Sequence, residues 1–394
     1  MTTISDLPND LVGEILSRVP ITCLGAVRST CKRWKALSEE RILCKTEAKH
    51  QFLGFMMKKY KLCSLRFDLH GTFNEEEFVD PSVKEIDNKL LNQINISKVY
   101  QCDGLLLCVT KEDNARLVVW NPYLCQTRWI QPRRAYHGQD CYAIGYDNNR
   151  KHKILRFLDC YDHSVKHTFA EYEIYDFSSS SWRVLDITPT CEIQVYQRGT
   201  CLKGNTYFFG QEKIVYQEDG EYPEPPENLI CFDFTKESFG EFLPLPFLLY
   251  MFYDVGAFSC IGNEKLAALS HPEDISKVEI WVTSMIEPNA VSWNPFLVVD
   301  MSLRYGFYFR FSYGGGSFFI DEEKKVAVVI DYDASEMTRY EDEAYIIGEN
   351  GYVKKVRLGE AAPHVQGALD LSEFAYCCPH VCCSSYVPTL AHIN

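Results

Sequence analysis

The apolar positions of residues 9–37 recur at helical spacing. The first stretch places large apolar residues four apart, with two more beside them, at Leu11, Val12, Ile15, Leu16 and Val19. A second stretch repeats steps of three and four at Leu24, Val27, Cys31 and Trp34. This periodicity predicts two or three short helices joined at residues 19–21. About forty residues rarely hold a core of their own, so the module must pack either on the rest of the chain or on another protein.

From about residue 50 the pattern changes to short β-rich runs. Residues 104–109, 117–120 and 326–330 are examples, and Gly, Asn, Asp and Pro separate such runs at intervals of roughly ten residues. These intervals are too short for crossover helices. The pattern therefore predicts an all-β sandwich, barrel or propeller after an N-terminal helical module.

An internal repeat favours the propeller. Residues 175–182 and 232–239 each run from an aromatic-Asp-Phe triplet through a polar turn to a second aromatic, Trp182 or Phe239, and residues 120–130 form a looser copy. The copies lie about 55 residues apart, which is typical of kelch-like propeller blades. We expect Trp182 and Phe239 to occupy equivalent places in neighbouring blades of a six-bladed ring. Recurrent hairpins in a sandwich are the alternative.

Charge and cysteine content indicate which partners and which cellular compartment suit the protein. The formal net charge of the 394 residues is −14: residues 1–49 carry +2 and the remaining residues carry −16. An acidic main domain argues against nucleic-acid binding. Solubility or a basic protein partner would each explain an acidic domain. No signal peptide or membrane-spanning run is present, so the 17 cysteines are expected to be reduced thiols of an intracellular protein, in the cytoplasm, the nucleus or both.

Enzymatic and metal-binding patterns are weak. No nucleophile elbow, Walker loop or His-Glu-x-x-His pattern occurs, so we expect no catalytic residue and no cofactor. Residues 377–383 hold four cysteines and His380, but adjacent residues of a strand point to opposite faces, which disfavours a zinc site. Gly314-Gly315-Gly316 precedes no helical pattern, and we expect a turn there rather than a phosphate site.

The N-terminal segment resembles an F-box, the helical module that binds the Skp-family adaptor of cullin-based ubiquitin ligases. The resemblance rests on three ordered stretches, residues 7–12, 14–20 and 27–34, and covers about 40 residues. It implies a three-helix module over residues 1–48 that docks on the adaptor. The residues implied in adaptor binding are Leu7, Pro8, Leu11, Ile15, Leu16, Val19, Pro20 and Trp34.

Residues 98–305 resemble the plant F-box-associated domain (FBA type 1, kelch-like). The landmarks occur in order and include residues 102–108, 119–122 and 279–283. The resemblance implies a plant F-box protein in which residues 49–394 form a C-terminal β-propeller-like domain. Residues 51–69 and the C-terminal segment are expected to close the ring together.

The two resemblances imply a substrate-recognition subunit of a Skp–cullin–F-box (SCF) ubiquitin ligase. Such a subunit binds the Skp-family adaptor and, through it, cullin, while its β domain holds a target protein, and it is not an enzyme. A propeller enzyme, a small-molecule receptor or a non-degradative scaffold are the alternatives. The target is not identified, and loops at residues 161–163, 218–222 and 339–343 are candidate contacts because they combine charge with aromatic side chains.

Overall fold

The computed structural model describes most of the chain, with gaps at several connections. The described residues are 7–17, 19, 27, 30–37, 51–74, 78–86, 91–111, 115–134, 140–162, 167–193, 198–213, 225–250, 254–272, 276–302, 317–333, 341–360, 380–381 and 386–393. No helix within these ranges reaches the length and apolarity that a membrane crossing requires.

The N-terminal module is helical. Helix α1 spans Asn9–Ser17, and residues 32–37 form a second short helical segment. Residues 20–26 and 38–50 lie outside the described part of the chain. The expected three-helix module is therefore not confirmed, and the described residues show two short helices.

The remaining chain folds into six sheets, which we call blades 1 to 6. Blade 1 contains β4 to β7, blade 2 β8 to β11, blade 3 β12 to β16, blade 4 β17 to β20, blade 5 β21 to β24, and blade 6 combines β1 to β3 with β25. Single turns of 3-10 helix lie at Leu91–Gln93 and Glu349–Gly351. The strands are β1 Gln51–Lys58, β2 Lys61–Asp68, β3 Val79–Glu85, β4 Ile96–Cys102, β5 Leu105–Thr110, β6 Leu117–Asn121, β7 Gln126–Ile130, β8 Cys141–Tyr146, β9 His152–Asp162, β10 His167–Asp176, β11 Ser181–Val184, β12 Cys191–Glu192, β13 Thr200–Leu202, β14 Asn205–Glu212, β15 Asn228–Asp233, β16 Ser238–Phe239, β17 Val255–Ile261, β18 Lys265–His271, β19 Lys277–Glu287, β20 Ala290–Asp300, β21 Ser317–Asp321, β22 Val326–Asp333, β23 Glu341–Gly348, β24 Tyr352–Glu360 and β25 His380–Val381.

Apolar side chains fill the space between neighbouring blades. The described residues form six inter-blade clusters, one for each successive pair of blades, including one between blades 6 and 1. The central strands β5 and β6 are buried along their whole length because both faces of the sheet meet another sheet. The sheets therefore close into the predicted six-bladed propeller, and an open sandwich is excluded.

The ring closes through strands from distant parts of the sequence. β1 pairs antiparallel with β2 on one side and with β25 on the other, where Met56 and Met57 lie opposite Val381 and His380. This arrangement confirms the expectation that residues 51–69 close the ring with the C-terminal segment. Beyond β25, Tyr386 continues into blade 6, where its backbone N–H donates to the carbonyl oxygen of Leu53 at 2.6 Å.

The repeat occupies equivalent positions in successive blades. Trp182 lies opposite Tyr175 at the outer edge of blade 2, and Phe239 lies opposite Phe232 at the outer edge of blade 3. Both aromatics pack against inter-blade clusters, and Trp182 also donates its indole N–H to the Gln131 carbonyl of blade 1 at 2.9 Å. The carboxylates of Asp176 and Asp233 accept backbone N–H groups of their own turns, which holds each turn in shape.

The propeller has two faces with different connections. Successive strands of a blade are antiparallel. The turn that joins the first, innermost strand to the second and the turn that joins the third strand to the fourth therefore lie at the same end of the propeller. We call this end the turn face; residues 102–105 and 202–205 are examples of its turns. The opposite end, the long-loop face, carries the connections between second and third strands and those between blades. β1 is the second strand of blade 6, so the chain enters the propeller at the turn face.

One pair of cysteines departs from the expectation of reduced thiols. Cys102 of β4 and Cys201 of β13 form a disulfide that links the innermost strands of blades 1 and 3. Among the other described cysteines, burial raises the pKa of Cys63 to about 11 and that of Cys108, Cys191 and Cys231 to about 12. These four thiols are therefore protonated core residues, as expected for buried cysteines. Of residues 314–316 and 377–383, the described residues include only 380–381.

A buried carboxyl makes the stability of the propeller depend on pH. Asp342 of β23 is 3% exposed, and burial raises its pKa to about 7; the nearby Lys58 and Lys59 lower it, and Asp331 raises it. An unfolded aspartate has a pKa of about 3.9. Between these values the native state holds a proton that the unfolded state has lost, so the contribution of Asp342 to stability falls as pH rises through this window.

We predict that Asp342→Asn, which cannot ionise, gains stability relative to the unmodified protein as pH rises from about 5 to about 8. The gain is at most about 1.4 kcal/mol per pH unit between the two pKa values. Urea unfolding at several pH values measures it. Asp80→Asn, at an exposed position on β3, is the matched control. A constant difference between Asp342→Asn and the unmodified protein across this range would contradict the prediction.

Candidate functional site

Helix α1 begins directly after a proline that suits a helix start. Pro8 precedes Asn9, and its carbonyl oxygen accepts the backbone N–H of Val12 at 3.1 Å. Proline is tolerated here because the first turn of a helix has no internal acceptor for its N–H groups. Asp10 places a carboxylate in the first turn, near the positive end of the helix.

One side of α1 forms the core of the helical module. Val12 is 1% exposed and Leu16 is 3% exposed, and both pack with Leu37 of the second helical segment. Leu7, Val27 and Trp34 cover this cluster from outside and are partly buried. Leu16 and Trp34 therefore act first as internal packing residues of the helical module.

The other side of α1 presents apolar side chains to solvent. Leu11 is 52% exposed and Ile15 is 45% exposed, and Pro8 is also exposed. Residues three and four apart lie on the same helix face, so these three side chains form one continuous row. We call Pro8, Leu11 and Ile15 the exposed stripe.

Val19, another residue predicted to bind the adaptor, lies just after the end of α1. Val19 is partly buried, and its backbone N–H donates to the carbonyl oxygen of Leu16 at 3.2 Å. Pro20 lies outside the described residues. The seven described residues of the predicted eight thus divide into the exposed stripe, a packed group and Val19 after the end of α1.

Arg33 has a structural role that the sequence analysis did not assign. Its Nε donates to Oδ1 of Asn9 at 2.9 Å, and its Nη2 donates to the carbonyl oxygen of Leu7 at 2.5 Å. These bonds tie the second helical segment to the start of α1. Arg33 and Asn9 are 24 residues apart, so no local sequence pattern predicts that they pair.

The candidate target-binding loops belong to one face of the propeller. Residues 161–163, 218–222 and 339–343 lie at the connections between the second and third strands of blades 2, 3 and 5. All three connections therefore leave at the long-loop face. Of these segments, residues 161–162 and 341–343 are within the described part of the chain, where they form the end of β9 and the start of β23 rather than loops.

The structure corrects the role of two of these residues. Asp342 and Glu343 lie in strand β23 rather than in a loop, and they are 3% and 2% exposed. Glu343 accepts the hydroxyl of Tyr345 at 2.9 Å and pairs with Nζ of Lys355 at 2.6 Å. Both carboxylates are therefore buried within the blade and unable to contact a target directly.

A buried ion-pair network lies near the long-loop face of blade 2. Nη2 of Arg156 donates to Oδ2 of Asp140 at 2.8 Å, and Nη1 donates to Oε2 of Glu173 at 3.3 Å. Nε of Arg133 completes the pairing of Glu173 at 2.7 Å, and Nζ of Lys98 donates to the Asp140 carbonyl at 2.9 Å. The network joins blades 1 and 2 and consists of paired charges, which suits a positioning role rather than catalysis.

Another buried carboxyl lies beside the longest connection of blade 3. Glu227 is 3% exposed, and burial, with a smaller effect of Glu192, raises its pKa to about 8. At neutral pH this carboxyl is therefore mostly protonated. It adds no negative charge to the face on which the target is expected to bind.

The described residues offer no metal centre. Nowhere in these ranges do three His, Cys, Asp or Glu side chains come close enough together to hold a metal ion. The described side chains suit binding of other proteins. The helical module offers the exposed apolar stripe, and the propeller offers the connections of its long-loop face.

Comparisons with known proteins agree with both parts of the chain. Residues 4–46 match the model of the F-box domain, and residues 53–393 match the model of the F-box associated beta propeller domain. The second match starts well before the landmarks at residues 98–305, so the propeller family covers almost the whole chain after the F-box.

Relatives in Arabidopsis thaliana are similar over the full length. "Putative F-box protein At3g20030" is 66% identical, covering 100% of this chain and 97% of the relative. "F-box/kelch-repeat protein At3g13680" is 48% identical, with coverages of 100% and 97%. Among solved structures, the β-propeller domain of the Trilobed protease from Pyrococcus furiosus aligns at 11% identity over 81% of each chain with a TM-score of 0.34, a level from which no function is inferred. The chain belongs to the F-box proteins in which an F-box associated β-propeller domain follows the F-box.

Proposed function

We propose that the chain is the substrate-recognition subunit of an SCF ubiquitin ligase. The F-box indicates binding to a Skp-family protein, and through it the chain would reach cullin. The observation that carries the proposal is the exposed stripe: Leu11 and Ile15 face solvent while Val12 and Leu16, one position further on, fill the module's core. The module can therefore bind a partner without giving up its own packing.

The exposed stripe suits a helix-in-groove contact. Such contacts use apolar anchors one helical turn apart, which is the relation between Leu11 and Ile15. Fully burying a leucine or isoleucine side chain contributes about 1.5–3 kcal/mol relative to leaving it exposed. Two such anchors beside Pro8 supply a substantial part of the affinity of an adaptor complex.

The propeller is proposed to hold the target on its long-loop face. The chain enters the propeller at the turn face, directly after the F-box. The long-loop face is therefore at the opposite end of the propeller from this entry point. Loops on a rigid β scaffold are the usual place for recognition residues. The chain needs no catalytic residue or cofactor of its own, because holding a target near a loaded conjugating enzyme raises the effective concentration of its lysines. We place this activity in the cytoplasm or nucleus, where the ligase acts on intracellular targets.

We predict that Leu11→Ser combined with Ile15→Ser strongly weakens adaptor binding and leaves the fold intact. Truncating a buried anchor commonly costs about 1–2 kcal/mol or more, so the double variant weakens binding by roughly a hundredfold. Calorimetric titration with a Skp-family adaptor and a thermal melt measure the two effects. Leu248→Ser with Val298→Ser is the matched control, since both side chains are exposed on the propeller. Equal binding by the Leu11/Ile15 variant and the control would exclude the exposed stripe as the docking surface.

We predict that Leu16→Ala weakens adaptor binding indirectly. Removing a buried leucine side chain destabilises a core by about 2–5 kcal/mol, so the helical module should unfold more readily. Because the adaptor binds the folded module, saturating adaptor should restore protection of this segment from proteolysis. A loss of affinity without a loss of helical content would instead show that Leu16 contacts the adaptor itself.

We predict that the segment at residues 214–224, in the connection between β14 and β15, takes part in target selection. Replacing it with a short Gly-Ser turn should change the set of proteins captured by affinity purification under proteasome inhibition. Adaptor binding and the thermal melt should stay the same, because the β14–β15 ladder ends at Asn228. The matched control replaces the turn at residues 262–264 on the opposite face. An unchanged set of captured proteins after the first replacement would argue against recognition by this connection.

A further inference from the structure

The turn face of blades 1 to 3 carries a basic surface. Its turns and outer strands project cationic side chains, several of them strongly exposed: the side chain of Lys236 is 73% exposed, that of Arg150 62% and that of Arg183 52%. We call this set the basic surface; its members are Arg128, Arg150, Lys151, Arg183, Lys203 and Lys236. It lies on a chain whose formal net charge is −14, so it differs in sign from the protein as a whole.

The carboxylates of this region are recessed below the cations. The side chains of Asp147, Asp233, Asp103 and Glu237 are only 12%, 13%, 16% and 17% exposed. Asp147 and Asp233 accept backbone N–H groups of their own turns, and Glu237 pairs with Lys153 at 2.9 Å and with Arg183. The charge that reaches solvent here is therefore mainly positive.

Contacts between the turns make the basic surface continuous. The backbone N–H of Asn148 in blade 2 donates to Oγ1 of Thr235 in blade 3 at 3.0 Å. Arg128 of blade 1 donates to Oγ of Ser180 in blade 2 at 2.6 Å. These bonds cross two blade boundaries, so the cations are held on one rigid platform.

Aliphatic side chains lie at the edge of this platform. Residues 386–393 run along blade 1, where Nδ2 of Asn121 donates to the carbonyl oxygens of Thr389 and Ala391 at 3.2 and 2.9 Å. The backbone is thus fixed, yet Val387 is 36% exposed and Leu390 is 45% exposed. Two exposed apolar side chains beside a group of cations form a surface suited to a partner that offers both apolar and acidic side chains.

The rings of this region are not available for stacking with nucleic-acid bases. The guanidinium of Arg150 lies 4.3 Å from the ring centroid of Tyr146, and that of Arg128 lies 5.4 Å from that of Phe177. Single-stranded nucleic acid binds through bare aromatic faces next to basic grooves. Here cations already cover the rings, and the exposed neighbours are aliphatic. The surface therefore suits binding of a protein segment better than binding of single-stranded nucleic acid.

We propose that the basic surface, together with Val387 and Leu390, docks an acidic protein segment that carries aliphatic side chains. Acidic residues of that segment would pair with Lys203, Lys236 and Arg150, and an aliphatic residue would pack on the C-terminal segment. The site is separate from the exposed stripe and from the long-loop face, so it does not depend on the proposed function. It gives the chain a further protein contact, on the turn face, where the chain enters the propeller.

Fluorescence anisotropy with the full-length chain tests the proposal. The probe is a labelled peptide that alternates glutamate with leucine, and the same peptide with lysine for glutamate is its counterpart. We expect saturable binding of the acidic peptide alone, weakening with added salt because exposed charges are screened. Lys203→Glu with Lys236→Glu should weaken binding by roughly tenfold or more, since it reverses two attractive charges.

Two further double variants test whether the peptide binds at the basic surface and the C-terminal segment. Lys84→Glu with Lys277→Glu makes the same change of net charge at exposed positions outside the basic surface and should leave binding unchanged. Val387→Ser with Leu390→Ser should weaken binding without altering its dependence on salt. Thermal melts establish that each variant is folded.

Three results would overturn the proposal. The first is no saturable binding of the acidic peptide by the unmodified chain. The second is an equal loss of affinity in the Lys203/Lys236 and Lys84/Lys277 variants, which would show a response to net charge alone. The third is tighter binding of single-stranded polyuridylate than of the peptide, which would assign the surface to nucleic acid.

Discussion

Burial of both faces of every blade is the constraint on which the propeller depends. β5 and β6 have no exposed residue along their length, because each side of their sheet meets another sheet. A single four-stranded sheet would expose these apolar faces to water and would not be stable alone. The stability of each blade therefore depends on the closed ring. Since the core lies between blades, connections at either end can vary without disturbing it.

Local patterns were sufficient to predict much of this architecture. The Asp that shapes each repeated turn bonds to its own downstream backbone, and the aromatic that follows at a fixed spacing packs at a blade boundary. Trp182 and Phe239 therefore carried information about blades that are distant in sequence. Residues 51–69 were likewise expected to close the ring with the C-terminal segment, and β25 supplied the C-terminal strand.

Interactions between distant residues could not be predicted in this way. Helical spacing placed Leu11, Ile15 and Leu16 in one broad stripe, but only the position of Leu37 shows which part of that stripe turns inward. Cys102 and Cys201 are 99 residues apart, so the sequence alone suggested separate thiols. Asp342 and Glu343 have the charge of a solvated loop and yet are buried, because Lys58 and Lys355 come from other strands to face them.

The place of β25 in the chain also sets the order in which the protein can be completed on the ribosome. Of the strands that the structure describes, β1 is synthesised first, but its inner neighbour, His380–Val381, follows more than 300 residues later. At about 5–20 residues per second, the delay is on the order of tens of seconds. During that time the inner edge of β1 carries unsatisfied backbone groups that can pair with the wrong strand. Chaperones that shield strand edges should therefore act on this protein until its last blade is complete.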